Sequence, residues 1–269
     1  MPLNEDILCT IIQLAPHAQL LELCYLSSAV HASVVCVIYH SVELRSYNEV
    51  AQFLRAIKVI SPRSQRLTNA VRHFVECVDT KSLPSDRTAL LHGAIAVILD
   101  RLTSVLGVKL AIVDSQQQHQ SRTSNGMRSV YAALSLCTRL RHLSLRGVTV
   151  TGLQQLATDL IAVRRLESLD LTFAEHISVA QSIILVGRLC ASVRALTLPE
   201  EFLQSLLGFC QVIAASDQAK YSFSSVRYLC CLDRRSREVL PRHIAEASRT
   251  LSRCAQGLST NCSQRTSRT

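Results

Sequence analysis

Three segments of this chain share one form. "LRHLSLRG" from Leu140, "LESLDLTF" from Leu166 and "VRALTLPE" from Val193 each read apolar-x-x-Leu-x-Leu. Their central leucines are Leu143, Leu169 and Leu196, separated by 26 and 27 residues. A degraded copy, "VRYLCCLD", is centred on Leu229 after a 33-residue step, and weaker ones are centred on Leu110 and Phe74. In a strand, alternate side chains face opposite ways, so Leu143 and Leu145 point to one side while His142, Ser144 and Arg146 point to the other. One such strand cannot bury its leucines alone. Several stacked in parallel form a hydrogen-bonded ladder with a continuous leucine core.

The spacers fit this arrangement. After the first segment, Leu153, Leu156, Ala157, Leu160 and Ile161 recur at helical spacing. After the second come Val179, Ile183, Val186 and Leu189, and after the third Leu203, Leu206, Leu207 and Cys210. Strand and helix alternating at this period fall in the range of leucine-rich repeats, roughly 20–29 residues. The family's Asn or Cys after the strand is missing, so the sequence resembles an irregular leucine-rich repeat. A generic α/β sheet with leucine-rich strands is the alternative. The fold class expected is α/β, a strand-helix solenoid with a parallel sheet. Its polar strand positions line up across repeats: Lys109, then His142, Ser144 and Arg146, then Ser168, Asp170 and Thr172, then Thr197, then Tyr228 and Cys230. This mixture has the composition of a protein-binding face, and His142, Ser144, Arg146, Asp170 and Tyr228 are the candidate target-binding residues.

Composition agrees with thin repeated layers: hydrophobic residues make up 48% of the 269, aromatics only 4%, and Trp is absent. The 11 cysteines contain no CxxC pair and lie mostly in apolar runs, Cys36 and Cys210 among them. They read as reduced thiols acting as small core residues, with no metal site. No apolar run approaches the roughly 20 residues a spanning helix needs, and Glu5 and Asp6 stand where a signal peptide carries basic residues. A protein without membrane association, in the cytoplasm or nucleus, is expected. Residues 1–50 sum to −4 and residues 226–269 to +6, within a net charge of +9. Asp114–Gly126 reads as an inserted polar loop, and residues 253–269 as a disordered basic tail.

The N-terminus is of another kind. A helix is expected from Glu5 to Leu14, a second from His17 to Leu26 after Pro16, and a third from Ala29 to Ile38. A strand-like exit, Tyr39 to Leu44, and a helix from Glu49 to Ile57 follow. Leu3, Asn4, Glu5, Asp6, Ile7, Leu8, then Ile11 and Ile12, then Leu20, Leu23, Leu26 and Ser27 resemble the F-box pattern, which begins Leu-Pro-x-(Asp/Glu)-Ile-Leu. Asn4 stands where the family has Pro, Ser28 where it has a basic residue, and Val30 where it has a large aromatic. The resemblance to fungal F-box proteins with irregular leucine-rich repeats implies an F-box-like element at 1–45, repeats over 46–252 and the tail beyond. It implies that Leu3, Ile7, Leu8, Ile11, Ile12, Pro16, Leu20, Leu23 and Leu26 dock a Skp-type adaptor of a cullin-RING ubiquitin ligase, with the repeats holding a protein target; Arg227 and the Arg234–Arg237 run beside Tyr228 lead one to expect acidic residues on that target. The plainer alternative is that these helices cap the end of the solenoid in an interaction scaffold.

No enzyme signature is present: no phosphate-cradling GxxxxGK[ST], no GxGxxG and no GxSxG. His142, Ser144 and Asp170 fall close together, but an open sheet gives a catalytic triad no shelter. The run Asp233–Arg242 lacks the aromatic platform or zinc finger of a nucleic-acid binder. No catalytic residue and no cofactor is assigned.

Overall fold

The computed structural model describes residues 5–59, 61–80, 83–111, 123–159, 165–173, 185–186, 189–190, 193–199, 202 and 228–232. Seven strands lie among them: β1 Ser41–Leu44, β2 His73–Glu76, β3 Gly107–Ala111, β4 His142–Val148, β5 Ser168–Phe173, β6 Ala195–Pro199 and β7 Tyr228–Leu232. They form one parallel sheet in chain order. Parallel neighbours need a crossover, and helices supply it. α4 (Tyr47–Lys58) and α5 (Pro62–Ala70) link β1 to β2, α6 (Ser85–Arg101) links β2 to β3, α7 (Thr123–Leu136) links β3 to β4, and α8 (Val150–Asp159) links β4 to β5.

The register is a single ladder. Val42, Phe74, Val108, Leu143, Leu169, Leu196 and Leu229 are successive partners across the seven strands. The first six are buried in one continuous core with helix residues such as Val50, Phe53, Leu91, Ile98, Leu134 and Leu156. A recurrent backbone staple keeps the strands in step. The carbonyl before each strand accepts from two successive N–H groups of the next: His40 from Arg72 and His73, Arg72 from Leu106 and Gly107, Leu106 from Arg141 and His142, Arg141 from Glu167 and Ser168, and Glu167 from Arg194 and Ala195.

Local chemistry sets the helix starts. Ser46 caps α4 by accepting from the Glu49 N–H, and the Glu49 carboxylate reaches back to the Arg45 N–H at 2.7 Å. Ser61 and Ser64 close a reciprocal capping box at α5, with Pro62 at its first position. Val50, Phe53 and Ile57 then recur on the buried face of α4.

One rung of the ladder is anomalous. Glu76 pairs with Leu44 on one side and Leu110 on the other, a position held by leucine on β1, β3, β4 and β5. It is 2% exposed. Its two carboxylate oxygens accept from the Val78 N–H at 2.6 Å and the Ala111 N–H at 3.0 Å, closing the ends of β2 and β3. Burial pushes its pKa up to about 7 against those two hydrogen bonds, which pull it down.

Several expectations are corrected. The exit at residues 41–44 is the first rung of the sheet, not the end of a separate element. The β3 rung is centred on Val108, since Leu110 pairs with Leu145. Residues 123–126 belong to α7, so the inserted loop does not extend to Gly126. The second helix, α2 (His17–Leu23), stops short of Leu26, and the third, α3, starts at Ser28 under a Ser27 cap. Cys36 is exposed, while Cys137 and Cys190 are buried; among the described residues the thiols of Cys24, Cys36, Cys77, Cys137 and Cys190 are free. Leu160, Ile161, Val179, Ile183, the helix expected over Leu203–Cys210, and the basic tail lie outside the described residues. No helix among those described is long and apolar enough to cross a membrane.

Candidate functional site

Two surfaces concern function. The first is the N-terminal element, α1 (Glu5–Leu14) with α2 and α3 (Ser28–Ile38). It has a small core of its own, Ile12, Leu20 and Val34, with Ala15, Leu23, Val30 and Ile38 packed around it. α3 packs against α5, which joins the element to the repeats. Of the residues matched to the F-box pattern, Ile12 and Leu20 are consumed by this core and offer no contact surface, because a short three-helix element needs its largest aliphatics inside. Leu23 is half-buried at its edge, and Pro16 is exposed. Ile7 and Ile11 point outward, 54% and 47% exposed, and Leu14 extends the stripe at 80%. Leu21, Tyr25 and Leu26 are exposed around the end of α2. Leu3 and the side chain of Leu8 lie outside the described residues.

The second surface is the solvent side of the sheet. One row of partners runs Ser41, His73, Gly107, His142, Ser168 and Ala195; the next runs Glu43, Val75, Lys109, Ser144, Asp170 and Thr197. His142, Ser144, Arg146 and Asp170 are thus brought to one face, as the alternation predicts. The backbone of Tyr228 pairs with Ala195 at the edge of that face, and its side chain lies outside the described residues. Ser144 donates to Asp170 at 2.8 Å, while the other carboxylate oxygen of Asp170 is buried without a hydrogen-bond partner. Glu43 is tied to Arg45 at 3.0 Å, which holds its carboxyl below the usual range. Gly147, with φ 73°, sits where the β4–β5 register shifts, and its N–H donates to Thr172.

An open hollow of about 370 Å³ lies over the β2–β5 part of this face. Sequence reasoning missed its centre. Gly107 has no side chain, and a Cβ there would come 2.6 Å from His73 Nδ1, so the imidazole lies across the floor of β3 only because glycine is present. His73 is also 5.4 Å from the ring of His40. Burial lowers its pKa, and the neighbouring His40 and His142 lower it further. The available signal was a glycine interrupting a row otherwise flanked by two histidines. Among the described residues, no group of three or more His, Cys, Asp or Glu side chains could hold a metal ion.

No family model and no curated protein matches the sequence. Among solved structures, the chain is similar to the leucine-rich repeat-containing protein LegL7 from Legionella pneumophila. The identity is 16%, the match covers 96% of this chain and 77% of that one, and the TM-score is 0.44. The ladder itself, parallel, in chain order and with a matched helix in each crossover through β5, makes the architecture leucine-rich-repeat-like.

Proposed function

We propose that this protein is a receptor subunit of a Skp–cullin–F-box type ubiquitin ligase, docking the adaptor through its N-terminal helices and a target protein through the sheet face. The observation that carries the reading is the outward stripe of Ile7, Ile11 and Leu14, which the chain's own repeats leave uncovered. Exposed large apolar groups at one helical spacing mark a protein-binding face. A non-enzymatic scaffold role fits the open, mixed-polarity sheet face. The specific observation favouring a plain scaffold is that Ile12 and Leu20, both in the family's pattern, serve the element's own core.

Co-expression with a Skp-type adaptor tests the proposal. The wild-type chain co-purifies with the adaptor; Ile7→Asp with Ile11→Asp abolishes this, since carboxylates buried in an apolar interface cost several kcal/mol. Both sites are solvent-exposed, so the variant keeps its fold. A wild-type chain that fails to retain the adaptor leaves the scaffold reading in its place.

A further inference from the structure

We propose that the hollow over Gly107, ringed by His73, Lys109 and His142, receives an acidic side chain on an extended segment of a partner protein. The inference rests on reading the strand face as the target surface and names the chemistry of the target. Three observations converge on it.

The first is shape. Gly107 is the only rung of its row from Ser41 to Ala195 without a Cβ, and it opens the floor between two imidazoles. The hollow is broad and open to solvent, so it suits a side chain carried on a polypeptide better than an enclosed small molecule. The second is charge. Lys109 stands one row away from the glycine, between Val75 and Ser144, and Arg146 lies exposed on the neighbouring strand. Neither makes an ion pair within 4 Å among the described residues, where the pairs found are Arg45–Glu43 and Arg141–Glu167. Of the acids of this face, Glu43 is paired with Arg45 and attracts Lys109 at longer range, while Asp170 accepts from the neutral Ser144 and keeps its charge at the far side of the hollow. Lys109 thus faces the hollow with no ion pair of its own within 4 Å among the described residues, and Asp170 is the carboxylate that shares the lining. The third is the grouping of imidazoles: His73 lies 5.4 Å from the ring of His40 and faces His142 across Gly107, so ring N–H groups from two strands are at hand to donate to an incoming carboxylate.

Asp170 limits what can follow. It lies two strands beyond Gly107, about 10 Å away at the usual strand spacing, or roughly three residues of extended chain. A second acid at that distance meets the Asp170 carboxylate, whereas an amide or hydroxyl donor there can satisfy its unpartnered oxygen. The fitting segment therefore carries a short acidic cluster flanked by neutral donors.

The test uses a fluorescein-labelled peptide with two central Glu residues flanked by Ser and Asn, and counterparts with Gln or Lys at the centre. Binding to the full chain is read by fluorescence anisotropy at near-physiological salt. The Glu peptide binds the wild type at least about tenfold tighter than either counterpart, the loss expected when charge-assisted hydrogen bonds are removed. His142→Gln, at an exposed position, and Lys109→Gln, at a half-buried one, each cut that affinity; Gly107→Ala, which alters shape and no charge, cuts it too. Replacing the tail arginines, Arg265→Gln with Arg268→Gln, leaves it unchanged. Equal binding of the Glu and Gln peptides overturns the proposal. So does a Glu preference that survives all three hollow variants, or one abolished by the tail variant, since both mean diffuse attraction to a basic chain. Adaptor retention measured on the same variants separates the two readings: its loss in the wild type removes the ligase link and leaves the peptide result standing.

Discussion

Glu76 should make this fold lose stability as the pH rises. The group replaces a leucine in the ladder, is 2% exposed, and has its pKa raised from 4.5 to about 7 by burial. A carboxyl with a folded pKa above its unfolded value contributes its stability in full below the unfolded value and loses it as the pH rises through the folded one. At roughly 1.4 kcal/mol per unit, the difference amounts to about 3 kcal/mol lost between about pH 4 and pH 8. His73 runs the other way, because its lowered pKa favours the neutral form present at higher pH. The buried thiols of Cys137, pushed up to about 12, and Cys190, pushed up as well, ionise above this window. Urea melts of the wild type and of Glu76→Gln across that range isolate the effect, since His73 is common to both. The wild type should lose about 3 kcal/mol more than the variant. Equal slopes, or wild-type stability that rises over the range relative to the variant, would refute the account of Glu76 as a desolvated rung. Glu76→Leu is a second probe. It completes the leucine row but leaves the Val78 and Ala111 N–H groups without their acceptors, at about 1–3 kcal/mol each, so it should not stabilise the protein at pH 5.

Leu143→Ala or Leu169→Ala should cost roughly 2–5 kcal/mol in denaturant melts, as for buried leucines that leave a cavity, while His142→Ala on the opposite face should be near neutral. Ser144→Ala removes the hydrogen bond to Asp170 and should cost about 1 kcal/mol, with Asp170→Asn recovering part of it in the Ser144→Ala background; additive effects would mean that the 2.8 Å contact is energetically idle.

The parts legible in the sequence are those whose chemistry is locally unambiguous. Leu143, Leu169 and Leu196 carry a strict period-two pattern at nearly constant spacing, and they are the rungs the structure uses. The bounds expected for α1 agree with the structure as well. The sequence pattern centres β3 two residues late because Val108 and Leu110 are both apolar and lie on the same face. A slip of two preserves the alternation, and only the partner strands fix the register. In the sequence β1 reads as an exit because "SVEL" is four residues long and its neighbouring strand is a distant stretch of chain. β2 was weak because Glu76 occupies a leucine position. At the candidate site, alternation alone brought His142, Ser144 and Asp170 together. The hollow was missed because it depends on a missing side chain, Gly107, between residues 34 and 35 positions away in sequence. In the N-terminal element, α1 and α2 are apolar on more than one side, so spacing could not say that Ile12 and Leu20 turn inward while Ile7 and Ile11 turn out.

Hydrogen exchange of the full chain, with and without a purified Skp-type adaptor, tests the two-surface account most directly. The account predicts slowed exchange confined to α1 and α2, around Ile7, Ile11, Leu14 and Tyr25, with β2 to β5 unchanged. Slowed exchange along the strand face instead, or none anywhere under conditions where the adaptor binds an established F-box protein, would contradict it.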